Sequence, residues 1–156
     1  MEPKVRAVDP QVLMEDLLQI LEEAEAVPLV ISGNSMAPFL VHGRDTVYLS
    51  KLTGPIKRGD MVLYRRKGGQ YVLHRVFRAG EHTLDMIGDG QVGVEPGIRH
   101  SQLLARVTAV RRKGRLLKAG HPLWFFYEKL WIRVIRCRPR LLGLYRRLHP
   151  ENKIVE

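Results

Sequence analysis

The spacing of hydrophobic positions predicts a helix at the start of the chain. Between residues 10 and 26 apolar residues recur three or four positions apart, and Asp9-Pro10 is a typical helix start. We therefore predict that residues 1–26 form an N-terminal amphipathic helix, running from Gln11 to about Ala26. Its apolar stripe would pack on the rest of the protein and consists of Val12, Leu13, Leu17, Leu18, Leu21 and Ala24.

From residue 27 to residue 117 the pattern becomes typical of short β-strands. Segments rich in β-branched and aromatic residues alternate with glycine-containing turns, and no segment of helical length lies between them. This spacing predicts a mostly β domain with strongly bent antiparallel sheets or a small β-barrel. The predicted strands are Ala26–Ile31, Asp45–Ser50, Met61–Arg65, Tyr71–Phe77, His82–Ile87 and Leu104–Arg111.

The composition changes again in residues 118–156, which are rich in aromatic and basic residues. His121-Pro122 predicts a helix start, Leu123–Ile135 is nearly all apolar apart from a few charged residues, and Pro139 interrupts the pattern. A basic amphipathic helix of this kind fits the surface of an anionic membrane. Packing of the same helix on the apolar face of the domain is equally compatible with the sequence, and both interpretations stay open.

The distribution of charge also separates the C-terminal part of the chain from the rest. The net charge of +10 is concentrated in residues 101–156, which hold 14 lysine and arginine residues against 3 acidic ones, whereas residues 1–100 are close to neutral. No run approaches the roughly 18 apolar residues that span a bilayer, and the first residues lack the apolar core of a signal peptide. We therefore expect a cytoplasmic protein or one bound peripherally to a membrane. The single cysteine excludes an intrachain disulfide.

Candidate chemistry begins at the turn after the first strand. Ser32-Gly33-Asn34 ends that strand and presents Ser35, whose hydroxyl becomes a useful nucleophile only when a neighbouring base takes its proton. The candidate base is His74, which shares one face of its strand with two valines. A histidine in this position is either a buried core residue or a base held in a walled site. Asp89, between two glycines, and Glu95 are candidate carboxylates that would orient it.

Four motifs in order resemble the successive boxes of the type I signal peptidase family. They are Gly33-x-Ser35-Met36-x-Pro38, Arg58-Gly59-Asp60-Met61-Val62, His74-Arg75-Val76 and Gly88-Asp89-Gly90. The resemblance covers about residues 27–112, and the histidine at the base position is similar to the Ser/His branch of that family. It implies a fold of the signal-peptidase and LexA-like type.

The resemblance also implies roles for individual residues. Ser35 would be the nucleophile, His74 the general base and Asp89 the supporting acid. Glu95 stands where the Ser/His branch has a second aspartate. The Ser35 backbone N–H would form the oxyanion hole, and Gly33 occupies the place where many members have a second, hydroxyl donor. Further residues near the turn are possible supporting groups, Ser32 and Asn34, or substrate contacts, Gly33, Met36 and Pro38.

The function that follows is a signal-peptidase-like serine endopeptidase that cleaves a precursor, leader or signal peptide without a metal or cofactor. Family members usually carry a membrane-spanning anchor, and neither predicted helix of this chain fits that role. In the absence of an export signal the site would face the cytosol, which favours a cytosolic precursor or leader peptide as substrate. Peripheral membrane contact through Leu123–Ile135 is a further expectation.

Two alternatives accompany this interpretation. The self-cleaving, LexA-like repressors share the Gly-x-Ser-Met turn, but they use a lysine base and cut an Ala-Gly or Cys-Gly bond upstream of the serine. Gly33 is the first glycine of this chain, so self-cleavage is not expected. The second alternative is a non-catalytic β domain whose basic tail binds an anionic membrane or nucleic acid; nucleic acid is not the partner we expect.

Overall fold

The structure is a computed structural model and describes residues 10–152 of the chain. Helix α1 spans Pro10–Glu23 and buries Leu17 and Leu21 in the main core. Val12 and Leu13 are about half exposed, so only part of the predicted stripe is in contact with the protein. Asp9, the predicted cap, lies outside the described residues.

In the described part of the chain eight strands follow, and all of them belong to one antiparallel sheet. The order along the sheet is β1-β2-β7-β3-β4-β5-β6, with β8 beside β7. The predicted mostly β, antiparallel fold class is confirmed. The strands are β1 (Val27–Val30), β2 (Thr46–Ser50), β3 (Met61–Arg65), β4 (Tyr71–Ala79), β5 (Thr83–Ile87), β6 (Glu95–Arg99), β7 (Leu103–Arg112) and β8 (Arg115–Lys118).

The sheet is open, so the expected alternative of a small closed barrel is not found. Within residues 10–152, β1 pairs only with β2, and β6 pairs only with β5. Register shifts interrupt four of the strand pairs, and such irregularities bend and twist a sheet locally. Strand β6 escapes prediction because Pro96 and Gly97 obscure the alternation of apolar and polar residues.

The two faces of β4 contact two different hydrophobic clusters, as its alternating pattern predicts. Tyr71 and Leu73 pack on the larger cluster, which also contains residues of α1 and of the C-terminal segment. Val72 and Val76 belong to the smaller one, together with Tyr64 of the neighbouring strand. The functional candidate His74 therefore lies in a strand that is covered on both sides.

Short helical pieces make up the C-terminal segment. Helix α2 spans Pro122–Phe125, continues through a π-type turn over Phe126–Leu130 and a 3-10 turn over Trp131–Arg133, and is followed by α3 at Arg138–Leu148. The side chain of His121 accepts a hydrogen bond from the backbone N–H of Leu123, which confirms the predicted helix start. Pro139 lies in the first turn of α3, so it starts a helix there as well as interrupting the pattern.

One side of this segment packs on the sheet and the other faces outward. Trp124, Tyr127 and Trp131 are buried in the main core, whereas Phe125 and Phe126 are 52% and 39% exposed. The packing interpretation therefore holds for the inward-facing aromatic residues. Among residues 10–152, no helix has the length and apolar character needed to cross a membrane.

Candidate active site

Ser35 lies in a tight turn that begins a few residues after β1. Gly33 adopts a φ of 82°, in the left-handed region that favours glycine, and its N–H donates a 2.9 Å hydrogen bond to Nδ1 of His42. Met36 is buried, and its carbonyl accepts a hydrogen bond from the N–H of Leu40. These contacts hold both ends of the turn, so the position of the Ser35 backbone is well defined. His42 has no sequence signal that would have predicted this contact.

The Gly-Asp-Gly motif lies directly against this turn. The N–H of Gly90 donates a 2.8 Å hydrogen bond to the carbonyl of Ser35, and a Cβ atom at Gly88 would overlap that same carbonyl. A side chain at Gly90 would press on the carbonyls of Asn34 and Ala37. The two motifs, more than fifty residues apart in sequence, thus require glycine where their backbones meet.

The C-terminal segment supports the same loop from behind. The indole N–H of Trp131 donates a 2.9 Å hydrogen bond to the carbonyl of Asp89. Arg138 is fully buried and donates from one guanidinium nitrogen to the carbonyls of Gly88 and Gln91, both at 3.0 Å. Burial lowers the pKa of Arg138 below its usual value. Neither residue was a sequence candidate, because a lone tryptophan or arginine in a basic segment does not reveal a distant backbone partner.

Asp89 is held by an arginine in a fully buried ion pair. Its two carboxylate oxygens accept hydrogen bonds from Nε and Nη2 of Arg75, at 2.9 and 2.8 Å. Nη1 of Arg75 also donates to the carbonyl of Gly59. No hydrogen bond joins Asp89 to His74 in the described part of the chain, because successive residues of β4 point to opposite faces and Asp89 lies on the side of Arg75. The predicted support of His74 by Asp89 has no direct contact here and stays a prediction.

His74 is only 3% exposed and has a different polar partner. Its Nδ1 lies 3.1 Å from the hydroxyl oxygen of Tyr64 on β3. Tyr64 is a diagonal neighbour of His74 on the same face, since His74 stands opposite Val62 in the strand register. Burial lowers the pKa of His74 to about 4, which leaves its imidazole neutral at pH 7.

Behind Tyr64 lies the second candidate carboxylate. The Tyr64 hydroxyl donates to Oε2 of Glu95 at 3.1 Å, and Arg66 holds both oxygens of Glu95, at 2.6 Å from Nη2 and 2.9 Å from Nε. Glu95, rather than Asp89, is therefore the carboxylate connected to His74 by hydrogen bonds. Tyr64 and Arg66 were not candidates from the sequence. The alternation of β3 places Tyr64 on the same face as Val62, which could have indicated a tyrosine near His74.

Ser35 and His74 line one cleft of about 280 Å³. The rest of its lining combines residues of the turn, residues of the neighbouring strands and two polar side chains: Ile31, Ser32, Gly33, Met36, Tyr71, Val72, Leu73, Arg66 and Gln91. Within the described residues no hydrogen bond joins the Ser35 hydroxyl to His74, so the contact expected of a formed Ser/His pair is not made in this structure. Catalytic hydrogen bonds of free enzymes often form only with substrate present.

The remaining candidates lie outside the lining of this cleft. The side-chain oxygen of Asn34 accepts a 3.4 Å hydrogen bond from the N–H of His42, which helps to hold the turn. The carbonyl of Pro38 accepts a hydrogen bond from Arg112. Of the predicted substrate contacts, Gly33 and Met36 are therefore placed at the cleft and Pro38 is not.

Comparisons with family models, curated proteins and solved structures give no match. The resemblance to the signal peptidases therefore depends on the four motifs alone.

Proposed function

We propose that the protein is a serine endopeptidase that uses Ser35 as nucleophile and His74 as general base. The observation that carries this proposal is that the hydroxyl-bearing turn and a neutral, almost fully buried imidazole line the same cleft. A neutral imidazole accepts the serine proton as Oγ attacks the peptide carbonyl, and it then gives that proton to the leaving amine. Water hydrolyses the resulting acyl-enzyme by the same path in reverse.

The turn also supplies a candidate oxyanion donor. The Ser35 N–H has no acceptor among residues 10–152, and it belongs to the residue whose oxygen would attack. A donor in that position stabilises the negative charge that develops on the carbonyl oxygen. Ser32 is exposed and lines the same cleft, which keeps its hydroxyl available as the second donor.

Strand edges beside the cleft favour a polypeptide substrate. Residues 71–74 of β4 pair only with β3, because the pairing with β5 begins at Arg75. The outer edge of β1, which leads into the Ser35 turn, is also unpaired within the described residues. An extended segment binds such edges through its backbone, and the small cleft suits small side chains next to the cut. A precursor or leader peptide fits these requirements.

Incubation with a peptide library and with a fluorophosphonate probe tests this proposal. We expect cleavage after small residues, and we expect the probe to form a single adduct that mass spectrometry places on Ser35. Heat-denatured protein serves as the control, since its serine lacks the neighbouring base. An intact library together with an unlabelled Ser35 would leave the non-catalytic alternative as the better account of this chain.

We also propose that the outward face of the C-terminal segment contacts an anionic membrane. Phe125, Phe126 and Leu130 are exposed there, in a region whose arginines and lysines far outnumber its acidic residues. Exposed aromatic side chains beside basic ones are typical of segments that lie at the lipid headgroups. This contact would hold the peptidase at the membrane surface.

Vesicle sedimentation measures this contact. We expect binding to vesicles that contain anionic lipid and a fall in affinity of about tenfold or more in the Phe125→Ser/Phe126→Ser double variant, since each phenylalanine loses apolar contact area. Ile20→Ser, at an equally exposed apolar position on α1, is the matched control and should bind like the wild type. Equal binding by the double variant, or salt-sensitive binding to nucleic acid alone, would contradict the proposed membrane contact.

A further inference from the structure

The hydrogen bonds of Tyr64 determine which ring nitrogen of His74 carries the proton. The Tyr64 hydroxyl lies 3.1 Å from Nδ1 of His74 and 3.1 Å from Oε2 of Glu95, and Tyr64 is fully buried. A tyrosine hydroxyl carries one proton, so it donates one hydrogen bond and accepts the other. Either Glu95 or His74 accepts the hydrogen bond that this hydroxyl donates.

Glu95 decides this direction. Arg66 donates from Nε and Nη2 to both oxygens of its carboxylate and lowers the pKa of Glu95, which keeps the carboxylate ionised and able only to accept. Burial, followed by the charge of Glu95, raises the pKa of Tyr64, so the phenol keeps its proton. Tyr64 therefore donates to Glu95, and its oxygen is left to accept from Nδ1–H of His74.

We propose that Tyr64 and Glu95 are positioning residues that hold the neutral His74 with its proton on Nδ1 and its lone pair on Nε2. The inference rests on the proposed role of His74 as base, because Nε2 is then the nitrogen that takes the proton of Ser35. No described residue forms a hydrogen bond with Nε2. The tyrosine hydroxyl thus occupies the place that a carboxylate fills in a Ser-His-Asp triad, and Glu95 acts through it.

Other charged groups near His74 do not compete for Nδ1. Both carboxylate oxygens of Asp89 accept hydrogen bonds from Arg75, and Arg66 donates to Glu95. Among the described residues, the Tyr64–Glu95 pair is therefore the only hydrogen-bonded connection between a carboxylate and the His74 ring. The same arrangement would stabilise the imidazolium that forms during the reaction.

Nitrogen NMR of protein labelled with ¹⁵N-histidine reads the tautomer directly, without any substrate. The signals of His74 are assigned by their loss in His74→Gln, since the chain has six histidines. We expect a protonated Nδ1 and an unprotonated Nε2 in the wild type at pH 7. In Tyr64→Phe the acceptor for Nδ1–H is absent, and in Glu95→Ala the Tyr64 hydroxyl is free to donate to Nδ1. Both variants should therefore move the proton to Nε2.

The same variants should lower kcat by about 10²–10⁴-fold with a much smaller change in KM, because the base is misprotonated while the cleft is intact. Glu95→Gln, whose amide oxygen still accepts from Tyr64, should retain more of the native tautomer and rate than Glu95→Ala. Asp85→Ala and Tyr48→Phe, which lie on other strands, are the matched controls and should change neither quantity.

The outcomes separate this inference from the proposed function. A wild-type His74 protonated on Nε2 would overturn the inference even if Ser35 reacts with the probe and peptides are cleaved, and this measurement needs no variant to fold. A native Nδ1–H tautomer in a protein that cleaves nothing would support the hydrogen-bond assignment while removing the peptidase. Unchanged tautomer and kcat in Tyr64→Phe would exclude the positioning role.

Discussion

Replacing Ser35 by alanine is expected to lower kcat/KM for a cleaved peptide by about 10⁴-fold or more, because the substitution removes the proposed attacking oxygen. The fold should be unaffected. The Ser35 hydroxyl makes no hydrogen bond among the described residues, and the turn is held instead by the Ser35 carbonyl and by its neighbours. We expect the free energy of unfolding to change by about 0.5 kcal/mol or less.

Steady-state kinetics and urea denaturation of the same preparations test both halves of this expectation. Ser101→Ala is the matched control, since that serine is exposed and lies outside the cleft. A Ser35→Ala variant that keeps one tenth or more of the wild-type rate would show that Ser35 is not the nucleophile. A variant that loses both activity and several kcal/mol of stability would show that the turn, rather than the hydroxyl, was disturbed.

Local patterns predicted most of the strands but missed the short strands β6 and β8. The alternation around His74 correctly assigned Val72 and Val76 to one face of β4 and Leu73 to the other. Strand β8 is only four residues long and pairs with the preceding strand β7 across a tight turn, so it leaves little alternation to detect. The sites of Trp131 and Arg138 depend on partners far away in sequence, which no local period reports. The open edges of the sheet are likewise a property of the assembled topology, so the barrel alternative was not resolvable from spacing.

The candidate site was also predicted only in part. The order of the motifs predicted that Ser35 and His74 belong to one site, and both line one cleft. The motif order did not distinguish which carboxylate is connected to His74. The side of β4 on which a carboxylate lies decides that, and Asp89 lies on the side of Arg75. The adjacent residues His74 and Arg75 therefore belong to two separate hydrogen-bond networks. His74 is connected to Tyr64 and Glu95, whereas Arg75 connects β4 to the Gly-Asp-Gly loop and to Gly59.

Asp89→Asn is expected to destabilise the protein by about 3–5 kcal/mol, the usual cost of leaving one member of a buried ion pair without its partner. Both side chains are almost fully shielded from water, at 0% exposed for Asp89 and 1% for Arg75. Asparagine keeps the size of the side chain, so the loss reports the missing charge. Urea denaturation measures it. Asp85→Asn, whose pair with the exposed Arg78 spans 4.0 Å, is the matched control and should cost about 1 kcal/mol or less.

A double variant distinguishes a structural Asp89 from a catalytic one. Replacing the pair by apolar residues, Arg75→Met with Asp89→Leu, removes both buried charges and should recover much of the stability lost in Asp89→Asn. If Asp89 instead acts on His74, Asp89→Asn should retain native stability while kcat falls by about 10³-fold or more. That result would restore the supporting acid implied by the motif order and would require the Arg75 contact to open during catalysis. Lost stability with recovery in the double variant would leave Glu95, through Tyr64, as the carboxylate that serves the base.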